Sequence, residues 1–175
     1  MTQTMKLRDL IFAALMVALG IVLPMALHSL NVSNIILPMH IPVLLAGFIL
    51  PWHLALLVGV LTPVLSSVLT GMPPVMPMLP IMVVELAVYA CCASILSHRF
   101  KLHPVLTLLI TMVLGRLAAS LVVWVMVSQF GVQFMGPVAF FTSAVVTGLP
   151  GIIIQLILVP LILAMIPARV RHRNA

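Results

Sequence analysis

Long apolar runs, broken only by short clusters of Pro, Gly and neutral polar residues, fill nearly the whole chain, and no other feature constrains its fold as strongly. Of the 175 residues, 64% are hydrophobic and 6% are charged, a balance that would leave a water-soluble domain with very large exposed apolar patches. Lipid is therefore the expected solvent for most of the surface. A helix needs about 20 apolar residues to cross the hydrocarbon, so the chain has room for about six or seven spans and no separate soluble domain. The runs divide into six segments, near 8–27, 38–50, 53–70, 79–97, 104–128 and 140–167. The expectation is an all-α integral membrane protein, one membrane domain over 1–175 with six transmembrane helices. The second segment is short for a span and the last is long, which predicts tilt, a kink or a partly re-entrant start. Pro63 and Pro160 fall inside the third and sixth segments, where a helix loses a backbone hydrogen bond.

The formal charge of +6 does not mark a nucleic-acid groove, because the basic residues are neither spread over a face nor interleaved with aromatics. Apart from Arg116 they lie at span ends: Lys6 and Arg8, then Arg99 and Lys101 within His98-Arg99-Phe100-Lys101-Leu102-His103, then Arg169, Arg171 and Arg173. Cationic segments are retained on the cytoplasmic side during insertion. The connections near 28–37, 71–78 and 129–139 contain no Lys or Arg, so they are expected outside. An even number of crossings must separate the basic segments, and six spans with both termini cytoplasmic satisfy this. A seventh would expel the basic tail. Lys6 and Arg8 before an apolar run resemble a signal peptide, yet no small-residue cleavage site precedes a soluble mature domain, and the run reads as the first span.

The outer connections are rich in Met, Pro and Gly and free of charge, as in Gly71-Met72-Pro73-Pro74-Val75-Met76-Pro77-Met78. That composition suits loops that close over an amphipathic ligand, and equally suits loops that rest on the protein or the headgroups. Pro38-Met39-His40-Ile41-Pro42 and Pro77-Met78-Leu79-Pro80 both precede apolar runs, where Pro sets a helix start. Cys91 and Cys92 are adjacent within an apolar run, without metal-site spacing, and read as small packing residues.

Glu85 and Arg116 lie well inside the fourth and fifth spans, where an ionisable side chain is costly unless it is paired or faces a cavity. Each is 13 residues from the end of the connection they share, counting from His98 and from His103. At a rise of about 1.5 Å per residue both lie about 20 Å from that end. A Glu85–Arg116 pair at matching depth follows, either fixing helix packing alone or also meeting a polar ligand group. Asp9, near the N-terminal end, is the other acidic residue of the sequence. Such scarcity argues against paired-carboxylate catalysis and metal-bound phosphate chemistry. His28, His40 and His53 lack the spacing of a helical metal site; His40, beside Met39 at the expected outer start of the second span, is the one singled out. Ala14 and Ala18, with Ala13 beside them, leave a shallow stripe on the first span where another helix can approach closely.

These residues resemble the substrate-specific S components of energy-coupling factor (ECF) transporters, prokaryotic vitamin importers. The resemblance covers nearly the whole chain and rests on its size, the six spans, the Ala14-x-x-x-Ala18 pattern, and the stretch from Leu37-Pro38-Met39-His40-Ile41-Pro42 through Gly71-Met72-Pro73-Pro74 to Glu85-Leu86-Ala87-Val88-Tyr89. It implies a multi-pass protein of the prokaryotic plasma membrane, with a binding site near the outer side and the alanine face docking on a transmembrane coupling subunit (EcfT-type). It also implies two cytoplasmic ATPase subunits that use ATP, since this chain has no phosphate-binding loop. A transported vitamin as ligand, no cofactor or metal of its own, no enzyme activity and no nucleic-acid partner complete the expectation.

The predicted ligand contacts are Asn34, His40, Met72, Met76, Glu85, Tyr89 and Arg116; the predicted docking residues are Ala13, Ala14 and Ala18. The His-Ile-Pro stretch with Gly-Met-Pro-Pro is similar to S components associated with cobalamin or related corrinoid precursors. The sparse aromatics also disfavour flat-ring stacking. Folate and pantothenate stay open as ligands. An autonomous secondary transporter would need a coupling-ion path and usually inverted repeats, and an intramembrane enzyme would need a nucleophile–base–orienter set that these residues do not assemble.

Overall fold

A computed structural model of the chain describes residues 7–28 and 37–166, and all regular structure within them is helical. The order is α1 (Leu7–His28), α2 (His40–Ile49), α3 (Trp52–Thr70), α4 (Met78–Ser94), a π-helical turn that continues α4 (Ile95–Arg99), α5 (Pro104–Phe130) and α6 (Pro137–Met165). Five of these are long and apolar enough to cross a membrane, α4 being counted with its π-helical turn.

The exception is α2, which differs from the span expected over 38–50. It has ten residues, every one buried, and at about 1.5 Å per residue it covers roughly 15 Å, half the hydrocarbon thickness. Pro51 limits it, because the residue before a proline is pushed out of the helical region, and Leu50 is extended at φ −100°, ψ 153°. α1, α3, α4 and α6 surround it, so an apolar run that would have met lipid instead forms the interior.

α4 is the hub, packing against α2, α3 and α5. Lipid tails are as apolar as Leu, so helices within a bilayer gain from close packing rather than from escape from water. The close approaches are visible at Gly47 of α2 and Gly59 of α3. A Cβ at Gly47 would stand 2.6 Å from the Ala93 Cβ, and one at Gly59 would stand 2.5 Å from the Leu86 carbonyl oxygen.

α1 buries Asp9, Ala13, Met16 and Gly20, spaced along one face, and exposes Ile11, Leu15 and Leu19 together with Ala14 and Ala18. Ala13 therefore belongs to the core of this chain and does not share a face with the other two alanines.

Two ends of the bundle are distinguishable. At the basic end, α4 turns into α5 through His98–His103, and the Ser94 hydroxyl donates to the Leu50 carbonyl oxygen at 2.8 Å, tying the end of α2 to the same level. At the opposite end, Gly71 (φ +73°) and Gly131 (φ +61°) terminate α3 and α5 in the left-handed region, which glycine adopts without a Cβ penalty. The Ser66 and Ser67 hydroxyls donate to the carbonyl oxygens of Met72 and Pro73, each at 2.7 Å, and hold the 71–77 connection over the end of α3.

Candidate functional site

Glu85 lies two turns into α4 and Arg116 near the middle of α5, so both side chains are carried to the interior of the bundle. Glu85 is 3% exposed and Arg116 8%, and Arg116 Nη1 is 2.9 Å from Glu85 Oε1. Each charge thus offsets the desolvation cost of the other.

Two further side chains complete the cluster. His40 opens α2, and its Nε2 stands 3.8 Å from Glu85 Oε1, beyond hydrogen-bond reach. Tyr89, one turn after Glu85 on α4, meets the His40 ring edge-on, with centroids 5.4 Å apart and planes at 65°. Room for the tyrosine comes from Gly115, where a Cβ would collide with the Tyr89 ring. α6 closes the fourth side: a Cβ at Gly148 would lie 3.2 Å from Arg116 Nη2 and 3.5 Å from Leu37 Cδ1.

Several buried polar atoms here have no hydrogen-bond partner among the described residues: both ring nitrogens of His40 and Nε of Arg116. Most buried polar groups in folded proteins are satisfied, so a convergence of open donors and acceptors is a place for a polar ligand group. The charges of Glu85 and Arg116 cancel. What the arrangement offers is buried hydrogen-bonding capacity without net charge.

The structure brings His40, Glu85, Tyr89 and Arg116 together. Met72 and Met76 are exposed on the connection before α4, outside this cluster. Asn34 lies outside the described residues. Three more buried polar side chains, Gln155, Thr107 and Thr111, were not singled out in the sequence, and each has an Nε2 or Oγ1 with no hydrogen-bond partner among the described residues. Gln155 had a signal, an amide set in the apolar run Ile152–Pro160; the threonines had none, since Thr is common in apolar helices.

A family model described as ECF transporter, substrate-specific component, matches residues 8–163. The chain belongs to this family. This S component is accordingly a transport subunit that binds a small-molecule substrate and associates with the other components of an ECF transporter, the coupling subunit and the ATPases. Its apolar helices make it a multi-pass membrane protein. No curated protein and no solved structure matches this S component.

Proposed function

We propose that this S component captures a vitamin from the outer side of a prokaryotic plasma membrane, and that the vitamin is cobalamin or a related corrinoid precursor. The observation that carries the reading is the buried His40–Glu85–Tyr89–Arg116 cluster with His40 and Arg116 left open to hydrogen bonding. Because the ion pair is internally neutral, the cluster favours an amide-bearing ligand over one held chiefly by a carboxylate, as folate or pantothenate would be. An amide donates and accepts hydrogen bonds without requiring an uncompensated charge. Asn34, Met72 and Met76 act as the outer contacts, the methionines by adapting to an irregular apolar surface.

In this reading both termini are cytoplasmic and the chain crosses the membrane six times. The placement of α2 supports that count. It starts at the Glu85 cluster and ends beside Ser94 at the basic end, so α2 carries the chain from that cluster to the end where α3 begins, as an even number of crossings between the basic segments requires. Ala14 and Ala18, exposed on α1, form the face for the coupling subunit, and two ATPases drive release. Purifying the chain from its host and identifying the bound molecule by mass spectrometry tests the assignment; a bound vitamin without a corrin ring would overturn it.

A further inference from the structure

At the basic end, far from the Glu85 cluster along α4, a cavity of about 250 Å³ opens where α2 meets the α4–α5 connection. Phe48, Leu102 and Pro104 supply apolar walls, and His98, Lys101 and His103 supply nitrogen-bearing side chains. The backbone around it is unusual. α4 widens into a π-helical turn over Ile95–Arg99, a form concentrated at functional sites, and Lys101 sits at φ +52°, which a non-glycine residue rarely adopts. The Leu102 N–H donates to the Leu96 carbonyl oxygen at 3.2 Å and so holds the turn that presents Lys101. α5 also begins here, with His103 as a cap residue that makes no side-chain capping bond, so the positive end of a 27-residue helix adds to the field.

No acidic side chain of this chain balances the charge of Lys101. The sequence has two: Glu85 is bound to Arg116, and Asp9 lies 3.4 Å from Arg8 on α1. Retention of cations on one membrane face accounts for Arg99 and Lys101 being in this connection, but not for a cavity with an apolar wall and a left-handed lysine in its lining. We propose that this cavity binds a phosphate group, carried by an anionic phospholipid headgroup or by a soluble phosphate, with Lys101 as the main contact. A basic pocket between helices at the membrane surface is suited to that chemistry. The apolar wall favours the lipid source, because Leu102 and Pro104, both partly exposed over the buried Phe48, offer surface to glycerol and acyl carbons.

The test uses the full chain in nanodiscs. Native mass spectrometry of the wild type in mixed phosphatidylcholine and phosphatidylglycerol is expected to show selective retention of phosphatidylglycerol. Lys101→Asn should weaken that selectivity about fivefold, the worth of one basic group at an anionic surface; Asn tolerates the left-handed backbone, so folding is preserved. Arg171→Asn, the same charge loss in the tail, should leave it unchanged. In neutral lipid, inorganic phosphate is titrated while thermal unfolding is followed: stabilisation of the wild type but not of Lys101→Asn would assign the site to soluble phosphate. A wild type that prefers neither phosphatidylglycerol nor phosphate, or an equal loss in Arg171→Asn, overturns the proposal. The wild-type comparison decides even if Lys101→Asn does not fold.

Discussion

Arg116 Nη1 and Glu85 Oε1 stand 2.9 Å apart in the interior, joining α5 to α4 at a depth where neither charge could persist alone. Removing one partner leaves the other buried and uncompensated, which costs about 3–5 kcal/mol. Glu85→Gln and Arg116→Gln should therefore each lower the thermal stability of the purified protein strongly. The double variant should lose far less than the sum of the two. Unfolding in detergent measures the cycle, and strictly additive effects would show that the pair does not stabilise the fold.

Gly115 is where α5 passes the Tyr89 ring, and a Cβ there has no space. Gly115→Ala should destabilise by about 1–3 kcal/mol through overpacking. Tyr89→Leu in the same background should recover part of that loss by removing the ring that the methyl group meets. Stability of the single and double variants in detergent decides, and a neutral Gly115→Ala would mean that the two helices separate without cost.

His40 has no hydrogen-bond partner for either ring nitrogen among the described residues, so its loss removes from the fold mainly its ring contact with Tyr89 and its 3.8 Å approach to Glu85. His40→Phe should keep the edge packing and unfold near the wild-type temperature. Its affinity for the transported vitamin should fall about tenfold, corresponding to one hydrogen bond at the upper end of the neutral range. Calorimetry reads both quantities; unchanged affinity would place the ligand elsewhere.

On α1, Ala14 and Ala18 are exposed whereas Ala13 is 6% exposed and packed in the core. Ala14→Trp and Ala18→Trp should leave folding and ligand binding intact and reduce ATP-dependent uptake, because a bulky side chain holds a partner helix away. Ala13→Trp should instead lower stability by overfilling the core. Uptake by cells expressing the coupling subunits, paired with binding by the purified variants, separates the two effects; normal uptake in both exposed variants would remove this face from the docking interaction.

Much of this was legible in the residues because the bilayer admits few solutions. A backbone that must satisfy its own hydrogen bonds in hydrocarbon becomes helical, so long apolar runs bounded by Pro and Gly suffice to place five long helices. The constant helical rise also set Glu85 and Arg116 at equal depth, since each is 13 residues from the turn they share, and that arithmetic predicted their pairing. Three matters depended on tertiary structure. The run over 38–50 is as apolar as a span, and only its burial among four other helices shows that α2 is an interior helix. His40 reaches Glu85 from a different helix, a juxtaposition that no sequence spacing encodes. Ala13, Ala14 and Ala18 look alike in the sequence because lipid-facing and protein-facing surfaces of a membrane helix are both apolar, so periodicity carries little information about facing; packing against the rest of the bundle decided which alanine is buried.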